Sequence, residues 1–279
     1  MRLLVTGGTG YLGAELVTQA SAAGHEVFSV SRGLDTVPPL RSSTYSTGRW
    51  VRLDVTDSDA CHAVMREVAP DVVIHTAFVQ TDWATTADGA VNVALATAAM
   101  GAHLVFVSSD AIFSGTGSPY DEQAQPDPVT RYGAAKAAAE TAIRALLPTA
   151  TIARSSLILG PGSSMERLVH ALADGADGML FTDQIRCPVH RDDLAAALLE
   201  LAGERHPGIF HCGGADALSR ADMGRLIAQR SGLDVDHIRI GSRADLGPGQ
   251  QLDVRLDSRH TQELLRTTLR GAQEFLATG

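Results

Sequence analysis

Only one of the 23 basic residues in this 279-residue chain is a lysine, Lys136, and it stands four positions after Tyr132 in the run Tyr132-Gly133-Ala134-Ala135-Lys136. At helical pitch an i, i+4 spacing puts both side chains on one face. A phenol with the ordinary pKa of about 10 is ionised to roughly one part in a thousand at neutral pH, which makes it a poor base. A neighbouring ammonium stabilises the phenolate and strengthens the phenol as an acid, so the pair can move a proton at a carbonyl or carbinol oxygen. With four tyrosines and one lysine in the chain, chance yields this spacing about 1.5% of the time, so accident explains it badly. Upstream, Val105-Phe106-Val107-Ser108-Ser109-Asp110 carries a strand to its C-terminal end, the edge where open α/β sheets bind ligands. A hydroxyl there can donate to a substrate carbonyl. Ser109 is the candidate, because Ser108 lies deeper in the strand; a serine at a strand end is also an ordinary turn residue, and Ser109 gains its meaning from Tyr132 and Lys136.

A second constellation opens the chain. The run Thr6-Gly7-Gly8-Thr9-Gly10-Tyr11-Leu12-Gly13 follows a short apolar strand and precedes helix-forming residues. Glycines at 7, 10 and 13 fall where a strand turns sharply, where backbone approaches a pyrophosphate, and where the helix packs on the sheet. The helix N-terminus then offers N–H groups and a partial positive charge to phosphate without needing a lysine. Near the end of the second strand, an acidic residue would accept both ribose hydroxyls of NAD, but Ser31-Arg32 stands there instead. A guanidinium pairs with a 2′-phosphate through two parallel hydrogen bonds, so NADP(H) is favoured over NAD(H); the plain alternative is one more surface arginine among twenty-two. Asp54, after the third strand, is placed to accept from an adenine amino group, while Asp57 reads as the N-cap of the next helix.

These residues need a scaffold, and the pattern of the chain supplies one. Apolar runs at Leu3–Thr6, Val27–Val30, Trp50–Leu53, Val72–His75, Leu104–Ser108 and Thr151–Ala153 alternate with helical segments at Tyr11–Ala23, Ser58–Val68, Ala90–Met100 and Tyr132–Leu146. Such alternation predicts βαβ units and a parallel, doubly wound sheet of Rossmann type. After Ser156 longer helices take over, at Met165–Ala173, Asp192–Leu201, Ser219–Ser231 and Thr261–Leu276, with strand candidates at Ile209–His211 and Ile238–Ile240. The expected division is a dinucleotide-binding domain over 1–155 and a smaller C-terminal substrate-binding lobe over 156–279, with some segments rejoining the main sheet. The loosest stretches are Asp35–Gly48 and Ser114–Pro128.

Composition narrows the function classes. A formal net charge of -9 argues against sequence-independent binding to nucleic acid or to an anionic membrane, and no apolar run reaches the length of a membrane span. Cys61, Cys187 and Cys212 are odd in number and scattered, which fits a reduced, cytoplasmic location. Neither Cys187-Pro188-Val189-His190 nor His211-Cys212 completes a four-ligand set, so no metal is expected. Serine-hydrolase, zincin and P-loop motifs are missing from the sequence.

TGGTGYLG near the N-terminus, the strand-end serine and YGAAK together resemble the short-chain dehydrogenase/reductase superfamily in its extended, sugar-nucleotide branch. VSSDAIFSG, RSSLILGPG, PVHRDDLA and GIFHCGGADALSRADM look like segments of the dTDP-4-dehydrorhamnose reductase group, so the likeness spans nearly the whole chain. The resemblance implies catalytic roles for Ser109, Tyr132 and Lys136. It implies cofactor positions at Gly7, Gly10, Tyr11, Leu12, Gly13, Ser31, Arg32, Asp54, Val55, Thr76, Ala77, Ser108, Tyr132, Lys136, Ser155 and Ser156, with Arg154-Ser155-Ser156 closing over the nicotinamide side. Phe78, Ser109, Asp110 and Arg191 would line the substrate cleft. The implied activity is NADP(H)-dependent reduction of a keto group on a small molecule such as a nucleotide-linked deoxysugar, in a chain compatible with a homodimer. Leu157, where the rhamnose reductases usually carry a tryptophan, and a shorter, differently charged Gln80–Val91 stretch depart from that group. Ala111 replaces the second carboxyl of a 4,6-dehydratase. An epimerase with tightly held NAD and a nonenzymatic NADP-binding regulatory subunit are the alternatives.

Overall fold

Residues 3–6 and the strand Val72–His75 are buried at every position, as strands covered on both faces of a sheet must be, and that burial explains why both are apolar up to their last residue. The computed structural model describes residues 1–33 and 49–277; the expected loop at 35–48 lies outside them. In chain order the first half runs β1 (Arg2–Thr6), α1 (Tyr11–Ala22), β2 (Glu26–Ser31), β3 (Arg49–Arg52), α2 (Ser58–Val68), β4 (Val72–His75), a π-helical turn (Ala84–Asp88), α3 (Gly89–Met100), β5 (His103–Ser109), α4 (Arg131–Leu146) and β6 (Thr151–Ser155). The second half runs β7 (Ile158–Leu159), α5 (Ser164–Ala173), β8 (Met179–Phe181), β9 (Ile185–Arg186), β10 (Val189–His190), α6 (Arg191–Glu204) and β11 (Gly208–Cys212). It ends with β12 (Leu218–Ser219), α7 (Arg220–Ser231), β13 (Arg239–Gly241), β14 (Asp253–Val254), α8 (Arg259–Leu264) and α9 (Ala272–Ala277).

Seven strands form the main sheet in the order β11-β6-β5-β4-β1-β2-β3. The pairs β1–β2, β1–β4, β2–β3 and β4–β5 are parallel, with Thr6 opposite both Val30 and His75. The order reverses between β1 and β4, so the C-terminal ends of these two strands form the switch point where open α/β sheets receive ligands. The Rossmann-type expectation therefore holds.

Two compact units account for the chain. The first comprises Met1–Ser109, Thr130–Ala153 and Ala195–Phe210. Its core joins Leu4, Val73, Leu104 and Phe106 from the sheet to Met65, Val93, Ala139 and Ile143 from the helices. The second comprises Asp110–Val129, Arg154–Leu194 and His211–Gly279, around a core that includes Leu159, Val169, Leu180, Ile227 and Phe275. Short strand pairs such as β10–β7 and β13–β8 lie within it.

One expected helix is two. Over Thr261–Leu276 the chain leaves the helix at Leu265 and re-enters at Ala272. The Gln262 amide donates to the Thr267 carbonyl and accepts from the Leu269 amide, closing the loop, while Asp216 accepts from the amides of Ala272 and Gln273 and starts the next helix. Side chains from elsewhere in the chain thus overrule the local apolar period. Among the described residues no helix is long and apolar enough to cross a membrane.

Candidate active site

In the first unit, the ends of β1 and β4 are tied together. The Thr6 hydroxyl lies 2.8 Å from His75 Nδ1, Thr76 Oγ1 donates to the Thr6 carbonyl at 2.7 Å, and the Ala77 amide donates to Thr6 Oγ1 at 3.3 Å. The glycine turn packs directly on this joint. Gly7 has a φ of 71°, and a Cβ there would stand 2.8 Å from Thr76 Oγ1 and 2.9 Å from the Ala77 amide. At Gly13 a Cβ would come within 2.2 Å of the Gly7 carbonyl oxygen, so neither position admits a side chain. Gly10 is the N-cap of α1, whose start has no side-chain cap and no acidic residue in its first turn; Leu12 in that turn is buried. The cradle has the space and the donor polarity that a dinucleotide pyrophosphate requires.

At the end of β2, Ser31 is buried and its hydroxyl donates to the Gly33 carbonyl at 2.9 Å, whereas Arg32 is exposed. Asp54 Oδ1 accepts from both the amide and the hydroxyl of Thr56, at 3.0 and 2.8 Å, which holds its carboxyl below the usual range; the Arg32 charge adds to this. Asp82, lowered first by its bond to the Thr85 hydroxyl, also lies in the field of Arg32. Both carboxylates therefore feel the Arg32 charge. Asp57 caps α2 through the Ala60 amide, as its position in the sequence predicts, and the Val55 carbonyl accepts from Asn92.

The tyrosine and lysine emerge from the start of α4. Thr130 caps that helix, its hydroxyl accepting from the Gly133 amide at 3.0 Å, and the first turn carries Tyr132. Lys136 is only 2% exposed; its ammonium donates to the Val107 carbonyl at 2.9 Å and lies 4.7 Å from the Phe106 ring and 5.4 Å from the Phe78 ring. Phe78, half exposed at 50%, also stands 5.6 Å from the Tyr132 ring. Phe78, Tyr132 and Lys136 thus form one cluster against the end of β5. There Ser108 is buried and Ser109 is partly open to solvent. Burial pushes the Lys136 amine down to about 7, with Glu140 opposing the shift, and pushes His75 down to about 3.

The sequence reasoning missed three members of this arrangement. Phe106 reads as plain core, and His75 as the last residue of an apolar strand. Glu140 was legible in principle, since it follows Lys136 at the same four-residue spacing that singled out Tyr132.

In the second unit, Asp110 is buried, accepts from the Ser156 hydroxyl at 2.7 Å and lies 3.6 Å from Arg186 Nε. Ser155 is buried beside it in the chain, and the buried Arg154 guanidinium lies 5.2 Å from the Phe113 ring. Arg191, the first residue of α6, pairs with Asp192 at 3.0 Å. Burial raises all three thiols, Cys187 to about 11 and Cys61 and Cys212 to about 12. Among the described residues no group of three or more histidine, cysteine or carboxylate side chains is arranged to hold a metal.

Comparison with known proteins gives consistent findings. Residues 1–247 match the model of the RmlD substrate binding domain. A dTDP-4-dehydrorhamnose reductase from Mycolicibacterium smegmatis is 34% identical over 256 residues, covering 85% of this chain and 72% of the relative. Methionine adenosyltransferase 2 subunit beta from Pongo abelii is 28% identical, covering 92% of this chain and 80% of the relative. A crystal structure of dTDP-4-dehydrorhamnose reductase from Bacillus anthracis in complex with NADP superposes with a TM-score of 0.84 at 22% identity, covering 99% of this chain and 97% of that one.

Proposed function

The chain belongs to the RmlD substrate-binding-domain family, and from that premise we propose that it is an NADP(H)-dependent reductase of a keto group on a nucleotide-linked deoxysugar. The observation that carries this reading is the placement of the chain's one lysine: buried beside the sheet's C-terminal edge, on the helix face that also bears Tyr132. Bound at the glycine turn, the nicotinamide cofactor supplies the hydride. Gly7, Gly10 and Gly13 would leave room for its pyrophosphate, and Arg32 would pair with a 2′-phosphate. Ser109 donates to the carbonyl oxygen and fixes its direction. Tyr132 gives that oxygen its proton, and the Lys136 ammonium strengthens the phenol as an acid while offering donors to ribose hydroxyls. Phe78 walls the substrate beside Tyr132.

The direct test is a panel of keto-sugar nucleotides and simpler ketones scored by NADPH oxidation, with NADH in parallel. Stoichiometric oxidation of NADPH, lost in Tyr132→Phe with NADPH binding retained, is the expected result. Isomerisation without net cofactor change would place the chain among epimerases instead. The likeness to a methionine adenosyltransferase subunit supports a second reading, an NADP-binding regulatory subunit. It would gain ground if every ketone failed while NADP(H) altered affinity for a protein partner.

A further inference from the structure

We propose that Glu140 is a positioning residue of this site: its buried carboxylate, one helical turn beyond Lys136 on the inner face of α4, is the counter-ion that keeps Lys136 an ammonium. Among the described residues of the first unit, histidines aside, Lys136 and Glu140 are the only charged side chains in the interior, each 2% exposed. They are of opposite sign and four residues apart on one helix, a spacing that brings side chains together. A buried charge left alone is costly, and a buried pair offsets part of that cost. The remaining neighbours of the ammonium are neutral: the Val107 carbonyl and the faces of Phe106 and Phe78. These favour a cation through dipole and quadrupole, but they carry no formal charge.

The titratable groups around the amine limit the alternatives. From its own helix come Tyr132 and Glu140. From β4 comes His75, which burial keeps neutral and which feels the Lys136 charge as a repulsion. α3, packed along α4, has no ionisable side chain between Gly89 and Met100, and Asp88 at the end of the preceding π-helical turn is exposed. β5 contributes only His103, at its opposite end from Phe106 and Val107. Burial lowers the amine to about 7 and Glu140 opposes that shift. Without the carboxylate nothing of opposite charge would oppose the effect of burial on the amine, and Tyr132 would lose part of the charge that strengthens it as an acid.

The inference rests on the catalytic reading of Tyr132 and Lys136, but its test does not depend on activity. Because Lys136 is the sole lysine, protein labelled with carbon-13 at the lysine ε position gives one side-chain signal whose midpoint can be titrated in the full-length chain. In folded Glu140→Gln the midpoint should fall by roughly one pH unit or more, whereas Glu140→Asp should hold it near the wild-type value. If the chain is a reductase, Glu140→Gln should also lose kcat progressively above its new midpoint and recover it below, a profile that a loss of packing would not produce. An unmoved midpoint in folded Glu140→Gln overturns the proposal. Should that variant fail to fold, Lys136→Met asks the reciprocal question. Without the ammonium the buried carboxylate loses an attractive charge, so stability relative to the wild type should fall as pH rises. A stability profile parallel to the wild type would refute the pairing. Failure of every ketone substrate would count against the reductase reading alone, since the lysine titration is read without substrate.

Discussion

At the scale of single residues, the informative comparison is between lysine and arginine at position 136. The chain uses arginine nearly everywhere else, so charge alone gives it no reason to keep a lysine here. The site does: a compact ammonium lies 4.7 Å from the Phe106 ring and 5.4 Å from the Phe78 ring and donates to one carbonyl. A guanidinium is planar, larger and permanently charged. Lys136→Arg is therefore expected to lose at least about a hundredfold in kcat despite its retained charge, and to unfold at lower temperature because it overfills a closed site. Steady-state kinetics beside a melting curve would check both; near-normal turnover would show that the unique lysine is incidental. Tyr132 and Lys136 were legible because their relation is local and periodic. The ion pair of Asp110 with Arg186 was not, because it depends on how distant segments of the second unit meet, and nothing in either neighbourhood announces the other.

At the scale of elements, the start of α4 connects capping to chemistry. Thr130 satisfies the Gly133 amide, and the turn it closes carries Tyr132. Thr130→Ala should cost about 1 kcal/mol of stability, and by fraying that turn it should lower kcat more than it weakens NADPH binding. Thr130→Asp, which restores an acceptor, should recover both; a thermal melt and a kcat measurement on the two variants decide it. The β1–α1 turn makes the complementary case. Gly13→Ala drives a methyl into the Gly7 carbonyl, so NADPH affinity should fall by well over tenfold while Tyr132 and Lys136 stay in place, as titration of cofactor fluorescence would show. Elements like these were readable because caps and glycines act on their own neighbours. The expected helix over Thr261–Leu276 failed for the opposite reason: Gln262 closes a loop and Asp216, far away in sequence, starts the next helix, and no local pattern encodes either contact.

At the scale of the whole molecule, buried titratable groups set how stability responds to pH. His75 is pushed down to about 3, and His103 and His211 to about 4, in each case chiefly by burial. Their ordinary value is 6.5, so between that value and about 4 the unfolded chain binds protons that the folded chain refuses. Stability then rises with pH in this window and is lost as pH falls through it. Each such group contributes a slope of about 1.4 kcal/mol per pH unit. Lys136 extends the trend upward: with a folded value near 7 and an ordinary value of 10.5, it again leaves more protons on the unfolded chain above neutrality. Maximum stability should therefore lie on the alkaline side of pH 7. Calorimetry from pH 5 to 9 would show melting temperature climbing across the range. Replacing His103 by glutamine should flatten the acid limb by one proton, at the cost of the bond that His103 Nε2 makes with Thr151 Oγ1 at 2.9 Å. A wild-type curve that is level between pH 5 and 7 would mean that the three histidines titrate in the folded protein as they do in the unfolded one.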